Sequence, residues 1–114
     1  MIIFLDTETT GLHPGNICQL SYIMQDDKKV IAKNYFFTVD FVEQSAFMVH
    51  GFSVEKLKDL SNGQRFCDHI KEIDEDFSSA KLIVAHNFSF DQSFYARNLK
   101  IVVNFCLTLK PFVQ

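Results

Sequence analysis

The 114-residue sequence has no tryptophan and only three cysteines. These shortages bear on the composition of its core and on the kinds of cross-link and metal site that it can form. Thirteen phenylalanines carry most of the aromatic content, and we expect most of them in a hydrophobic core, where phenylalanine is usually found. The cysteines, at positions 18, 67 and 106, are odd in number and form no Cys-x-x-Cys pair. This pattern argues against a disulfide framework or a zinc site, and the apolar neighbours of the cysteines predict buried free thiols.

The chain also lacks an excess of basic residues and any long apolar segment. Lys and Arg total 11 against 14 Asp and Glu, a net charge of −3, so a large basic nucleic-acid surface is not indicated. No segment approaches the roughly 18 apolar residues that cross a bilayer, and the amino terminus does not resemble a signal peptide. We therefore expect a cytoplasmic protein without membrane contact. The length suits one domain, residues 1–114, and the 47% hydrophobic content is typical of a globular protein.

The hydrophobic pattern predicts an α/β domain. Residues 2–6 are nearly all apolar, as in a central strand that is buried on both faces. Residues 17–25 and 30–39 predict two more strands, and the polar turn 26–29 between them favours an antiparallel hairpin. The remaining predicted segments are helices at 45–50, 53–60, 64–77 and 90–98, and strands at 81–85 and 101–109.

Local signals support these helices and suggest how the strands assemble. Gly51 is suited to end the first helix and Ser53 to begin the second. The apolar residues of the helix at 64–77 recur on one stripe, at Phe66, Ile70, Ile73 and Phe77. The order of segments predicts a mixed sheet with flanking helices. A right-handed crossover would place strand 81–85 beside the first strand, so that both end at the same edge of the sheet.

Three carboxylates are expected to meet at that edge. Asp6 and Glu8 alternate along the first strand and therefore point to one face. Two acids on one face repel each other unless a cation lies between them, and oxygen ligands suit Mg²⁺ or Mn²⁺. Asp91, one turn into the helix at 90–98, would reach the same edge. Taken singly, an Asp-x-Glu at a strand end is common, and an Asp near a helix start is usually a cap or a surface acid.

The motifs around these acids resemble those of a known family. Asp-Thr-Glu-Thr-Thr-Gly-Leu at positions 6–12 is similar to the first motif of the DEDD 3′–5′ exonucleases, which have the ribonuclease H-like fold. Val-Ala-His-Asn-Phe-Ser-Phe-Asp at 84–91 resembles their second motif. Val-His-Gly-Phe at 49–52 resembles a His-Gly-Ile segment of the branch that includes the proofreading subunit of bacterial DNA polymerase III.

The resemblance implies an activity and a set of site residues. Asp6, Glu8 and Asp91 match the catalytic acids that hold Mg²⁺ or Mn²⁺ for hydrolysis of phosphodiester bonds at 3′ ends by two-metal catalysis. Thr9 and Leu12 match positions whose backbone or side chain contacts the terminal nucleotide, and Val49 and His50 resemble residues that line its pocket. Asn87 matches an asparagine of the second motif that helps to shape the site. Leu12 would act as an apolar wedge at the last base. A surface or capping role for His50 stays open.

The family's third motif, with a histidine or tyrosine base and a fourth aspartate, has no match here. The 23 residues after Asp91 contain no His, Asp or Glu. From this pattern we expect a domain that is incomplete at its C-terminus, with impaired activity and exposed apolar sheet surface. A homodimer or a partner chain would cover that surface. Three explanations stay open: a truncated exonuclease, a non-catalytic remnant that binds a nucleic-acid 3′ end or a nucleoside monophosphate, and a chain that needs a partner to complete its site.

Overall fold

The computed structural model describes residues 1–11 and 16–85. The elements in these residues are β1 (Ile2–Thr9), β2 (Ile17–Asp26), β3 (Lys29–Phe36), α1 (Gln44–His50), α2 (Val54–Leu60), α3 (Phe66–Ser78) and β4 (Leu82–Ala85). The helix expected at 90–98 and the strand expected at 101–109 lie outside the described residues. No helix within the described ranges is long and apolar enough to cross a membrane.

The strands form one mixed sheet in the order β3-β2-β1-β4. β1 pairs antiparallel with β2, β2 pairs antiparallel with β3, and β4 runs parallel to β1. This arrangement confirms the predicted α/β fold with a mixed sheet. In the parallel pair, Leu5 lies opposite Ala85, so β4 ends one residue before the level of Asp6. The chain that follows β4 therefore starts from the acidic end of β1.

β3 ends three residues earlier than the sequence pattern predicts, at Phe36 and not at residue 39. Beyond Phe36 the register with β2 continues for one more hydrogen bond, and the amide after that has a partner outside the sheet. The Phe37 amide donates to the Cys18 carbonyl at 2.9 Å, and the Thr38 amide donates to the Gln64 carbonyl at 2.7 Å. The Thr38 bond marks the point where the chain leaves the sheet and approaches the segment that precedes α3.

α3 covers one face of the sheet. Its predicted stripe is buried in full, because Phe66, Ile70, Ile73 and Phe77 all pack in the main core with strand residues such as Ile3. A polar tie joins the same two layers. Asp76 on α3 accepts hydrogen bonds from the Tyr22 hydroxyl at 2.6 Å and from the Lys33 ammonium at 2.7 Å. Glu72 of α3 also accepts a hydrogen bond from Lys33 at 3.3 Å, so the sheet and α3 are held by apolar burial and by polar contacts to two carboxylates.

The opposite face of the sheet is open within the described residues. Phe4 is 40% exposed, so the expectation that β1 is buried on both faces is wrong for this part of the chain. Ile23, Leu82 and Val84 are exposed as well, and the register places them in line with Phe4 or Ile2. Apolar sheet surface is therefore exposed, as expected from the sequence.

The cysteines divide into two kinds. Cys18 is a buried free thiol, as predicted. Cys67 takes part in a disulfide bond, so the expectation of a free thiol is wrong for that residue.

Candidate functional site

The acid pair lies on the open face of the sheet, at the carboxyl end of β1. Asp6 is exposed and Glu8 is half-buried. One carboxylate oxygen of Asp6 accepts a hydrogen bond from the Thr7 amide at 3.0 Å. Across the ladder, Asp6 is level with Ser21 and Glu8 with Gln19. The predicted alternation of the two carboxylates on one face is confirmed by this register.

Polar side chains continue from the acid pair across the sheet. The Asn34 side-chain oxygen accepts hydrogen bonds from the Gln19 amide at 2.9 Å and from the Ser21 hydroxyl at 2.6 Å. Beside this polar row is a shallow cavity of about 430 Å³, lined by Asp6, Ser21 and Asn34 together with apolar residues such as Phe4 and Ile23. The open face is thus polar at the acidic end of β1 and apolar toward the start of the strand.

A β-bulge lies directly beside Glu8. The ladder passes from the Glu8–Gln19 pair to the Thr9–Ile17 pair, which leaves Cys18 without a partner on β1. Bulges re-aim neighbouring side chains and are frequent beside functional sites. Burial and the negative charge of Glu8 together raise the pKa of the Cys18 thiol to about 12, partly offset by a backbone hydrogen bond. Glu8 therefore exerts its negative potential at the bulge.

Hydrogen bonds of Thr10 fix the backbone that follows the acid pair. It is 1% exposed, its amide donates to the Asn16 carbonyl at 2.9 Å, and its hydroxyl accepts from the Asn16 amide at 3.0 Å. Its carbonyl accepts from the Glu43 amide at 2.8 Å. A buried polar residue is stable when its groups are bonded in this way. The stem of the loop and the start of α1 are thus fixed to one residue.

α1 is joined to this end of β1 through its last residue, His50, and exposes apolar side chains. His50 lies with its Nε2 atom 2.9 Å from the Thr9 carbonyl oxygen. Val49 is 81% exposed, and its neighbours Phe47 and Met48 are exposed too. Of the sequence-predicted substrate residues, the structure therefore brings Thr9 and His50 together and leaves Val49 on the surface beside them. Leu12, Asn87 and Asp91 lie outside the described residues.

Glu43 is a residue of this site that the sequence analysis missed. It precedes α1, where its side chain forms no capping hydrogen bond. Its Oε2 atom is buried without a hydrogen-bond partner in the described ranges. A Cβ atom on Gly11 would overlap the Glu43 carboxylate and lie 2.8 Å from its Cγ atom. No local pattern marks Glu43, because glutamate is not a preferred N-cap residue and its contact with Gly11 depends on tertiary packing.

The donors that suit a metal ion here are the carboxylate oxygens of Asp6 and Glu8. Within residues 1–11 and 16–85, no group of three or more His, Cys, Asp or Glu side chains could hold a metal ion. The expected third acid, Asp91, stays a prediction. The described part of the site is therefore a pair of carboxylates with a fixed turn and an apolar helix beside them.

Comparisons with known proteins place this geometry in context. No protein-family model matches the chain. Among curated proteins, the DNA polymerase III epsilon subunits of Rickettsia felis and Rickettsia conorii are each 33% identical to it over 106 aligned residues. The alignments cover 88% of this chain and 44% of each relative. The chain thus spans less than half the length of these curated relatives.

Solved structures share the fold. Exonuclease I from Methylocaldum szegediense superposes with a TM-score of 0.74 at 19% identity, over 86% of this chain and 23% of the other. E. coli exonuclease I, solved with a 5cy-dT13 oligonucleotide, gives a TM-score of 0.74 at 18% identity, over 90% and 23% of the two chains. At this level of identity the likeness is evidence for the fold alone.

Proposed function

Because the chain resembles the DEDD-family exonuclease domains in both sequence and fold, we propose that it is part of a 3′–5′ exonuclease domain. The reaction is hydrolysis of phosphodiester bonds at nucleic-acid 3′ ends. The observation that carries this proposal is the acid pair, Asp6 and Glu8, on the open face at the carboxyl end of β1. β4 supports this proposal, because its last residue, Ala85, pairs with Leu5 directly before Asp6. Asp91 follows Ala85 by only six residues in the sequence.

The cofactor we propose is Mg²⁺ or Mn²⁺, held by Asp6, Glu8 and Asp91. Asp6 fits a hard cation because it is exposed and presents carboxylate oxygen. A pair of such cations would supply an activated water and neutralise the leaving oxygen. In this proposal the fold keeps the two carboxylates on one face of the sheet and fixes the backbone of residues 9–11 next to them.

The substrate we propose is the 3′ end of a single-stranded nucleic acid, with a nucleoside monophosphate as the smallest ligand. The exposed apolar side chains of α1 support this choice, because they include Phe47 and unpaired bases stack on aromatic side chains. Thr9, Val49 and His50 are the described residues that we expect along this surface, and Leu12 and Asn87 complete the predicted set. We expect the protein to act in the cytoplasm.

A trimming assay with matched carboxylate variants tests the proposal. The chain is incubated with 5′-labelled single-stranded DNA and Mn²⁺, and the shortened products are separated by length. We expect shortening from the 3′ end that is lost in D6N and E8Q and kept in D27N, which removes a hairpin carboxylate instead. Absence of shortening at high protein concentration would contradict a working exonuclease. Metal-dependent binding of a nucleoside monophosphate without shortening would support the non-catalytic alternative.

A further inference from the structure

His50 uses both nitrogens of its ring inside the protein. Its Nε2 atom lies 2.9 Å from the Thr9 carbonyl oxygen, and its Nδ1 atom lies 3.0 Å from the Phe52 amide nitrogen. A backbone amide can only donate, so Nδ1 must accept. A carbonyl can only accept, so Nε2 must carry the proton. The two bonds together define a neutral ring in the Nε2–H form.

Phe52 holds the His50 ring in this orientation. The two rings stack with centroids 5.2 Å apart and an interplanar angle of 25°. Phe52 in turn meets Phe36 of β3 edge-on, with centroids 5.3 Å apart. Both phenylalanines pack against the small buried cluster that contains Cys18 and Leu57. The orientation of His50 is therefore fixed from the sheet, through Phe52.

We infer that His50 is a positioning residue whose Nε2–H group holds the Thr9 carbonyl and, with it, the backbone directly after Glu8. At this point the ladder is irregular, because the bulge at Cys18 separates the Glu8–Gln19 pair from the Thr9–Ile17 pair, and the His50 bond adds a contact from outside the sheet. Both ring nitrogens are engaged, so in this arrangement His50 has no free lone pair with which to take a proton from a water. The functional consequence rests on the proposed function, in which Thr9 lies along the surface that binds the terminal nucleotide.

The proton position can be tested in the unmodified chain without any ligand. ¹⁵N-detected imidazole spectra at neutral pH should show a neutral His50 ring with its proton on Nε2. A ring protonated on Nδ1, or on both nitrogens, would overturn the inference.

Two variants separate the two hydrogen bonds. H50Q keeps an amide donor near the Nε2 position, whereas H50N keeps an acceptor near the Nδ1 position. We expect the Thr9 carbonyl carbon resonance to stay close to its original position in H50Q and to move in H50N. Equal movement in both variants would overturn the positioning role.

Calorimetry with a nucleoside monophosphate and Mn²⁺ then tests the link to the site. Loss of one hydrogen bond should weaken binding about two- to tenfold in H50N and H50A, and less in H50Q. Equal weakening in all three variants would assign direct nucleotide contact to His50 and overturn the positioning role. If the unmodified chain binds neither nucleotide nor metal, the proposed function fails, and the ligand-free spectra still decide the inference.

Discussion

At the scale of single residues, the Cys18 thiol reports on the charge of Glu8. Burial and the Glu8 carboxylate raise the pKa of this thiol to about 12, so alkylation of Cys18 in the folded chain should be slow at pH 9 and accelerate only as the pH rises toward that value. Removing the charge in E8Q should lower the pKa of the thiol and speed alkylation at a given pH. Mass mapping of the Cys18 peptide after timed alkylation measures this rate.

The matched control for this experiment is D6N. Asp6 is the other carboxylate of the pair, but burial and Glu8 are the two causes that raise the pKa of the Cys18 thiol. We therefore expect D6N to leave the alkylation rate near that of the original chain. Equal acceleration of alkylation in D6N and E8Q would mean that the Cys18 thiol does not respond specifically to the charge of Glu8.

Gly11 is required by space and not by an unusual backbone angle. A methyl group at this position would overlap the Glu43 carboxylate, whose Oε2 atom is already buried. We expect G11A to lower the free energy of unfolding by about 1–3 kcal/mol, as overpacking does. In an E43A background the same change should cost less, because the overlapping atoms are gone. Urea unfolding of the four proteins gives the coupling, and an equal cost in both backgrounds would contradict the contact.

At the scale of elements, α1 depends on the left-handed residue that ends it. Gly51 has φ 74° and ψ 13°, and its amide donates to the Phe47 carbonyl. A Cβ atom there would meet nothing within 4 Å, so the cost of G51A is conformational. We expect a loss of about 1–2 kcal/mol in unfolding free energy, and a smaller loss in G51N.

Asn62 provides the comparison for this prediction. It already adopts φ 56° with a side chain, so N62G should change stability little or raise it. Thermal unfolding of G51A, G51N and N62G measures all three effects. A loss in N62G as large as that in G51A would contradict the conformational explanation.

The ion pair between Lys33 of β3 and Asp76 of α3 should stabilise the protein only over a defined pH range. Burial lowers the pKa of Lys33, but hydrogen bonds and charge from Asp76 and Glu72 outweigh it and leave the pKa raised. Because the pKa of Lys33 is higher in the folded than in the unfolded chain, the ion pair adds stability, in full at a pH below the unfolded-state pKa of about 10.4. This stability is lost as the pH rises through the higher folded-state pKa. A double-mutant cycle with K33M and D76N should give a coupling of about 0.5 kcal/mol at pH 7. Urea unfolding at pH 7 and again above the lysine range measures this coupling, and a coupling that persists at the higher pH would contradict the assignment.

At the scale of the whole molecule, the fold followed from local signals in the sequence. The stripe of Phe66, Ile70, Ile73 and Phe77 predicted α3 and its buried face, because burial of one helix face requires that spacing. Ser53 predicted the start of α2, and its hydroxyl accepts the Lys56 amide at 3.1 Å. The parallel β1–β4 pair followed from the handedness of crossovers. The helix signals lie within a few residues of the features that they predict, whereas the β1–β4 pairing follows from a general rule on how parallel strands are connected.

The contacts that shape the candidate site could not be predicted in this way. The hydrogen bond from His50 to Thr9 joins residues 41 apart in the chain, and the Glu43 amide reaches Thr10 from another element. The bulge at Cys18 lies between the Glu8–Gln19 and Thr9–Ile17 pairs, and no local pattern in the sequence marks it. The alternation of Asp6 and Glu8 was predictable because it depends on strand geometry alone. What surrounds the pair depends on tertiary packing, which leaves no periodic pattern in the sequence.

The open face of the sheet leads to a prediction about association. Ile23 and Ile31 are each 43% exposed, but they lie on opposite faces. Ile23 is level with Phe4 on the open face, whereas Ile31 is level with Met24, a residue of the core under α3. Contiguous exposed apolar surface favours self-association, so we expect the chain to associate as its concentration rises. I23T should weaken that association and I31T should not.

These two variants are matched in chemistry, since both replace one β-branched residue by another at the same degree of exposure. Their unfolding free energies should therefore fall by similar amounts, about 1 kcal/mol or less. Sedimentation equilibrium over a range of concentrations separates association from stability. A chain that stays monomeric throughout, or an equal effect of I23T and I31T, would mean that the face carrying Phe4 and Ile23 does not drive contact between copies. Loss of association in I23T alone would show that copies of the chain associate through the surface that carries the acid pair, because Ile23 and Asp6 line the same cavity.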